Sequence, residues 1–233
     1  MRELISTPIF GIMISLIAFE IGCILYKKTK VPILNPLFTS IIMVMCFLTI
    51  FNINVSDYDK GGQFISFFLS PATVILAVPL YKKIKLLKAY ALPIVAGITA
   101  GSLVGIITVI FLCHLFGISK PLDISMIPKS ITVPIGVEVS KQLGGIPSIT
   151  VAAIIITGIM GAVVGPYVCK LFKIEDKVAV GVAIGTASHA VGTTKAIELG
   201  EVEGAMSSLS IGLAGIITVF IAPVITKIFE NFI

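Results

Sequence analysis

Runs of about 20 apolar residues follow one another along nearly the whole chain, and this feature restricts the possible fold most. The runs begin near Pro8, Ile33, Ala89, Ser148 and Ala205. A helix needs about 20 apolar residues to cross the hydrocarbon core of a bilayer, and only helices and closed barrels satisfy their backbone there. Charged residues are 12% of the chain, against about a quarter in soluble domains. We therefore predict an all-α polytopic membrane protein, with residues 1–233 forming a single transmembrane domain.

The positive charges lie in short loops between the apolar runs, chiefly at 27–30, 82–88 and 170–177. Lysine and arginine in short loops mark the cytoplasmic side of a membrane and attract anionic lipid. The net charge of +5 therefore indicates a lipid bilayer as partner and excludes nucleic acid. Counting charges predicts an N-terminus outside the cell and a cytoplasmic C-terminus next to Lys227. The Glu-rich turn at 198–203 would then lie outside.

Small and polar residues are concentrated in one stretch, 181–208, which reads GVAIGTASHAVGTTKAIELGEVEGAMSS. On a continuous helix Gly185, His189, Gly192 and Thr193 share one face, so the imidazole would lie in a groove that admits a ligand. Close packing of another helix is the alternative, because Gly181 and Gly185 have small-xxx-small spacing. A histidine at membrane depth costs about 2–3 kcal/mol unless it is paired or hydrated. We interpret His189 as functional, with proton coupling as its role.

Two other stretches are too broken to be ordinary spanning helices. In SPATVILAVPLYK at 70–82, Pro71 and Pro79 each remove a backbone donor. This predicts a discontinuous helix at a binding site, or else a simple proline kink. Residues 124–145 are interrupted by Pro128 and Pro134 and by charged side chains. They predict a re-entrant or discontinuous segment that lines a cavity, with an external loop as the alternative.

These stretches together predict a site for a small anion. Half-helix N-termini offer free N–H groups and positive dipole ends, and Lys129 adds a positive charge. Glu138 joins His189 as a candidate for proton coupling. The predicted substrate-binding residues are Ser70, Pro71, Ala72, Thr73, Lys129, Ser130, Thr132, Ser188, His189, Gly192 and Thr193.

When the sequence is aligned with itself at an offset of 115 residues, apolar segments align with apolar segments, and residues 70–73 align with 185–188. This predicts half-repeats at 1–117 and 118–233 of opposite orientation, as in transporters with inverted repeats. With the charge count it gives about seven crossings plus the re-entrant segment. An alternative offset of 56 residues aligns Cys113-His114-Leu115-Phe116 with Cys169-Lys170-Leu171-Phe172.

Catalytic and metal-binding patterns are missing from the sequence. No metal-ligand spacing, nucleophile elbow or carboxylate pair occurs, so we expect neither an enzyme nor a cofactor or metal site. The four cysteines are isolated within or at the end of apolar runs, which is typical of buried thiols. They are Cys23, Cys46, Cys113 and Cys169.

Three motifs resemble those of the LrgB/CidB family, and they occur in the same order over nearly the whole chain. They are SPATVILAVPLYK at 70–82, PKSITVPI at 128–135, and GVAIGTASHAVGT at 181–193 continuing to GEVEGAMSSL at 200–209. The resemblance implies a multi-pass protein of the bacterial plasma membrane that acts with a small LrgA/CidA-type membrane partner.

The resemblance implies two different functions. The family was named for an antiholin-like role in murein hydrolase control and cell lysis. Members are also implicated in pyruvate uptake, and the plastidal glycolate/glycerate translocator is similar to the two proteins fused. Transport of pyruvate, glycolate, glycerate or a similar monocarboxylate fits the predicted anion site, so we expect a transporter, with a holin-like or antiholin-like regulator as the alternative. A homodimer is expected from the glycine-striped span at 89–116.

Overall fold

The computed structural model describes residues 7–29, 34, 36–68, 71, 81 and 84–230. Within these residues the chain forms helices joined by short turns, in two compact units, Met1–Ile75 and Leu76–Ile233. The first unit contains α1 (Pro8–Thr29), α2 (Pro36–Ile50) and α3 (Val55–Phe67). The second contains α4 (Ile84–Ala89), α5 (Ala91–Leu115), α6 (Lys120–Met126), α7 (Val133–Leu143), α8 (Pro147–Leu171), α9 (Lys177–Leu199) and α10 (Glu201–Ile228).

Four of these helices, α1, α5, α8 and α10, are long and apolar enough to cross a membrane. The 25 residues of α5 extend about 37 Å at 1.5 Å per residue, more than the roughly 30 Å of a hydrocarbon core. The prediction of an all-α multi-pass membrane protein is confirmed. The predicted count of seven crossings is not confirmed.

Glycines bring the three helices of the first unit into backbone contact. A Cβ at Gly22 of α1 would lie 2.8 Å from the carbonyl oxygen of Pro36, and one at Gly11 would lie 3.0 Å from Cα of Gly61 in α3. Such contacts let apolar helices approach closely. The polar residues at 54–62, among them Asp57, Asp59 and Lys60, lead to the expectation of a loop between apolar helices. This is wrong, because most of them belong to α3, which packs through Gly61 on α1.

Residues 124–145 form a helical hairpin, which confirms the predicted break. The turn at 127–132 separates α6 from α7, and Pro134 occupies the first turn of α7, where its missing N–H costs nothing. Ser125 Oγ accepts a hydrogen bond from the Ile146 N–H at 2.7 Å. The two ends of the segment therefore meet, so it enters and leaves at the same end of the unit.

Helix α9 also doubles back, at His189, where φ is 43° and ψ is −138°. A Cβ at Gly181 would lie 3.0 Å from Cα of Glu203. If α9 were straight, Gly181 would lie about 27 Å from Leu199, and the four residues from Leu199 to Glu203 span at most about 14 Å. A straight α9 could therefore not bring Gly181 into contact with Glu203. The predicted count of about seven crossings includes the histidine segment as one of them. This is wrong, because its halves 177–188 and 190–199 form a second hairpin.

The two hairpins enter the second unit from opposite ends. The first half of α9 runs parallel to α5, because Gly97 contacts Val182 and Gly101 contacts Thr186. It runs antiparallel to α8, where Gly161 contacts Ser188. The α9 hairpin therefore starts where α5 starts, which we call the Asp176 end. The α6–α7 hairpin starts where α5 finishes, which we call the Ser119 end.

Helices α5 and α8 are equivalent under the 56-residue shift. Each has 25 residues and ends in the same way. The Ile118 N–H donates to the Cys113 carbonyl at 2.9 Å, and the Ile174 N–H donates to the Cys169 carbonyl at 2.8 Å. A hairpin follows in both cases. The 115-residue shift instead pairs the continuous α1 with the broken segment at 124–145, and these two structures differ.

The predicted placement of the charged loops is partly wrong. Because Gly181 contacts Glu203, the Glu-rich turn lies at the same end as the basic loop 170–177, not at the opposite one. From there α10 continues for 28 residues, about 40 Å, which is enough to cross a bilayer. Lys227 is therefore at the Ser119 end, whereas the charge count placed it on the same side as loop 170–177.

Candidate functional site

A cleft of about 590 Å³ lies between α5 and the first half of α9. It runs along the two helices from Tyr90 and Asp176, at the Asp176 end, to Gly105 and Ala187. The cleft exists because each helix presents small residues at a spacing of about one turn, so little side-chain volume fills the space between them. These residues are Gly97, Gly101 and Gly105 on α5 and Ala179, Ala183 and Ala187 on α9.

Lys129 and Ser130, in the turn between α6 and α7, also line this cleft. The Lys129 ammonium donates a hydrogen bond to Ser130 Oγ at 3.3 Å. Within the part of the chain that the structure describes, no ion pair includes Lys129. The side chain is partly buried. These two predicted site residues therefore border a cavity, and no described carboxylate neutralises the positive charge of Lys129.

Thr186 contributes a hydroxyl from the opposite wall and is a residue that the sequence analysis missed. It is 7% exposed, and its Oγ1 has no hydrogen-bond partner among the described residues. With Ser130 it also borders a small cavity that reaches Thr218 of α10. The sequence contains a signal for this position, because the helical spacing of Ala179, Ala183 and Thr186 places all three on one side of α9.

His189 lies at the bend of α9 and does not face a groove. It is 4% exposed, and its Nε2–H donates to the Ile154 carbonyl oxygen at 2.9 Å. A Cβ at Gly158 of α8 would lie 2.7 Å from this nitrogen, so the ring packs directly on α8. The predicted ligand groove beside His189 is wrong, because backbone and ring atoms fill the space.

The glycine face of α9 packs against α10. A Cβ at Gly185 would lie 2.7 Å from Cα of Ser207, and Thr193 Oγ1 and Ser207 Oγ are hydrogen-bonded at 2.7 Å. The alternative interpretation of these glycines, close helix packing, is therefore confirmed. Gly192 folds back over Ser188. Ser188 Oγ is buried without a partner among the described residues, and Gly161 and Gly192 enclose it.

The remaining predicted residues are scattered. Thr132 precedes α7 and is partly buried. Glu138 is exposed and pairs with Lys141 at 2.9 Å, on the other hairpin from His189. Pro71 is exposed. Ser70, Ala72 and Thr73 lie outside the described residues.

The cleft has the donors that an anion requires and lacks the ligands that a metal requires. An ammonium group has three N–H donors, of which Ser130 accepts one. The other two, with the hydroxyls of Ser130 and Thr186, match the lone pairs of a carboxylate or similar anion. Across the described residues, no cluster of three or more His, Cys, Asp or Glu side chains is arranged to hold a metal ion.

Comparisons with known proteins agree over nearly the full length. The model of the LrgB-like family matches residues 15–228. The antiholin-like protein LrgB of Bacillus cereus (strain B4264) is 39% identical over 218 residues, which cover 93% of this chain and 95% of the relative. The protein of the same name in Bacillus anthracis (strain CDC 684 / NRRL 3495) shows the same identity and coverage. No solved structure matches the chain significantly.

Proposed function

Because the chain belongs to the LrgB-like family, we propose that it is a non-enzymatic, antiholin-like protein of the bacterial plasma membrane. In this role it restrains holin-type permeabilisation, and thereby murein hydrolase activity and cell lysis. The observation that carries the proposal is the 39% identity to antiholin-like LrgB over 93% of the chain. We propose an LrgA-type membrane protein as its partner.

The packing of the second unit supports a sealing role. The tip of the α9 hairpin rests on α8 through Gly158 and Gly161, and its first half rests on α10 through Gly181 and Gly185. Contacts at this distance leave no water-filled passage between these helices. A holin would instead need a polar surface that lines a large hole between subunits.

The test is dye release from liposomes. We expect vesicles that contain the purified chain alone to retain carboxyfluorescein. We also expect the chain to reduce the leak caused by a co-reconstituted LrgA-type protein. In cells, deletion of the gene should increase murein hydrolase activity on a zymogram. Leakage through the chain alone, or an unchanged leak with the partner, contradicts the proposal.

Transport of small monocarboxylates is the second candidate, and the arrangement of the hairpins favours it. In transporters with inverted repeats, discontinuous helices from opposite sides meet near the bilayer midplane and form the binding site. Here Ser130, in the turn of the α6–α7 hairpin, and Thr186, in the α9 hairpin, line the same cavities. We propose α5 with α6–α7, and α8 with α9, as the inverted repeat. The relatives are named as antiholin-like proteins, and these names mention no transported solute.

Uptake into sealed liposomes separates the two candidates. Labelled pyruvate, glycolate and glycerate are the substrates, and labelled sucrose is the control for leakage. A carrier should show saturable uptake that Lys129→Met abolishes and that Lys120→Met, on the exposed surface, leaves unchanged. Proton coupling through His189 or Glu138 predicts that an inward proton gradient raises this uptake. Absence of any uptake from sealed vesicles rejects the carrier.

A homodimer remains our proposal for the assembly. The exposed apolar side chains of α5, among them Val104, Phe111 and Leu115, provide a surface for either lipid or a second copy. Chemical crosslinking in native membranes, followed by mass measurement, tests it. A single species at monomer mass across a range of crosslinker concentrations rejects the dimer.

A further inference from the structure

We propose that the Asp123 carboxyl is a proton-binding site, which holds its proton while the α6–α7 hairpin is packed against α5 and α8 and releases it when that packing opens. Asp123 does not line the α5–α9 cleft. The site therefore depends neither on an antiholin-like role nor on a transported solute, and it goes beyond the function proposed above.

Asp123 is an acidic side chain that the fold buries completely. It belongs to α6, which packs on α5, α7 and α8, and it is 1% exposed. Neither of its carboxyl oxygens has a hydrogen-bond partner among the described residues, so Asp123 does not cap its own helix. Other aspartates differ, because Asp57 pairs with Lys60 and Asp176 accepts the Ala179 N–H.

Few charged groups are available to stabilise an ionised Asp123. The titratable side chains on the elements around it are Cys113 and His114 on α5, Lys120 on α6, and Glu138 and Lys141 on α7. Helix α8 adds none before Tyr167. Lys120 is exposed, and Glu138 and Lys141 are exposed and pair with each other. This leaves Cys113 and His114, which both act on the carboxyl.

A carboxyl in these surroundings keeps its proton. A buried carboxylate without hydrogen bonds or a close counter-charge is costly, and such a group is protonated instead. Burial raises the pKa of the Asp123 carboxyl, and the opposing effects of Cys113 and His114 are smaller. Once the hairpin opens, water reaches the carboxyl, whose unperturbed pKa is about 3.9. The proton then passes to water at neutral pH.

The second hairpin shows that this arrangement of helices does not require a carboxyl. At the offset of 56 residues, Asp123 corresponds to Ala179 and Cys113 corresponds to Cys169. In both segments a 25-residue helix precedes a hairpin. Alanine is thus sufficient at the equivalent position. An ionisable side chain buried within a membrane protein is in general a candidate for a functional role.

Infrared spectroscopy tests whether Asp123 is protonated, and it needs no substitution. The purified chain is prepared in dodecyl maltoside, which has no carbonyl group, with and without carbon-13 in the side-chain carboxyl of aspartate. At neutral pH we expect the C=O stretch of a protonated carboxyl, and we expect the label to shift it. The other three aspartates, Asp57, Asp59 and Asp176, are exposed or half-buried, so a buried protonated aspartate can only be Asp123.

Matched variants connect the proton to stability. Asp123→Asn has a similar shape and cannot ionise, so it should lose the infrared band, whereas Glu138→Gln on the same hairpin should keep it. Because the unfolded carboxyl loses its proton above about pH 3.9, the native chain is most stable below that pH and loses stability as the pH rises towards the folded pKa. In this window the folding equilibrium of the native chain relative to Asp123→Asn should fall about tenfold per pH unit.

Hydrogen exchange tests the link between the proton and the hairpin. Peptides from residues 120–143 should exchange faster in the native chain than in Asp123→Asn, and the ratio should grow as the pH rises, because ionisation favours the open hairpin. Comparing the two chains at equal pH removes the chemical pH dependence of exchange. Peptides from α1 and α3, in the first unit, should exchange alike in both chains and serve as the control.

Three results would overturn the proposal. They are the absence of a protonated-aspartate band at neutral pH, a band that persists in Asp123→Asn, and equal exchange of residues 120–143 in the two chains at every pH. If sodium chloride stabilises the native chain at neutral pH and choline chloride does not, and Asp123→Asn removes this effect, the carboxyl binds a metal cation and the proposal of a proton is wrong. None of these results depends on dye release or solute uptake, so both proposed functions are tested separately.

Discussion

Gly185 shows how one missing side chain determines where two helices can lie. Its α-carbon faces the backbone of Ser207, and a Cβ there would lie 2.7 Å from Ser207 Cα. Gly181 makes the same kind of contact with Glu203, four residues earlier on both helices. Since Ser207 meets this glycine with backbone atoms, a rotamer change cannot relieve a clash. These two glycines therefore set the distance between the first half of α9 and α10.

Replacing Gly185 by alanine should destabilise the protein by about 1–3 kcal/mol, the usual cost of overpacking a close contact. Thermal unfolding in detergent measures the change. The matched control is Gly212→Ala on α10, where a Cβ would meet nothing within 4 Å. Alanine is favoured over glycine in a helix by about 0.5–1 kcal/mol, so the control should be as stable as the native chain or more stable. Equal loss in both variants would contradict the contact.

The sequence predicted some of these residue contacts and missed others for physical reasons. The spacing of Gly181 and Gly185 indicates close packing, because it exposes backbone on one helix face. The backbone of His189 has no comparable signal. A positive φ is uncommon in residues other than glycine, and histidine occurs far more often with helical φ and ψ. Lys129 was found because a charge is conspicuous in an apolar chain, whereas Thr186 was missed because its one signal is its helical spacing from Ala179 and Ala183.

At the scale of elements, the two hairpins differ in how visible they are in the sequence. The α6–α7 hairpin has Pro128 and Pro134 at its turn, which interrupt helical hydrogen bonding. The α9 hairpin has neither proline nor a polar loop at its bend, and its 23 residues match the length of a spanning helix. Only contacts distant in sequence, such as that between Gly181 and Glu203, show that it returns. Length alone therefore overestimates the number of crossings.

The second hairpin predicts which loops share a side of the membrane. Single cysteines at the exposed positions Lys177 and Glu201 should react with an impermeant maleimide from the same side. A cysteine in place of Lys120, before α6, should react from the opposite side. The measurement is labelling of intact spheroplasts and of inverted vesicles in a cysteine-free chain. Labelling of Lys177→Cys and Glu201→Cys from opposite sides would mean that α9 crosses the membrane.

At the scale of the whole molecule, the orientation follows from which loops lie at one end. Lys85 and Lys88, just before α5, and Lys170, Lys173 and Lys177, around the start of α9, are all at the Asp176 end. Because lysine-rich short loops are typical of the cytoplasmic side, we propose that the Asp176 end is cytoplasmic and that α10 ends outside. The charge count gave the opposite answer for the C-terminus because it counted the histidine segment as a crossing.

This orientation makes a prediction for the C-terminus. A peptide tag added after residue 233 should be cleaved when protease is applied to intact spheroplasts, and protected in inverted vesicles. A cysteine in place of Lys173 should be labelled with the reverse pattern, which serves as the internal control. Protection of the tag in spheroplasts would show that the C-terminus is cytoplasmic and that the assignment of the Asp176 end is wrong.

The identical endings of α5 and α8 have a consequence for how such a chain is built into a membrane. Residues 91–143 and 147–199 form two equivalent segments. Each segment has one crossing helix, then a residue with left-handed backbone conformation, Gly117 or Lys173, and then a hairpin that returns to the side it came from. A segment with a single net crossing always delivers the chain to the far leaflet. A tandem copy of it is therefore inserted upside down, with no linker or reorientation required. Gene duplication of such a segment would by itself yield two hairpins that approach each other from opposite faces.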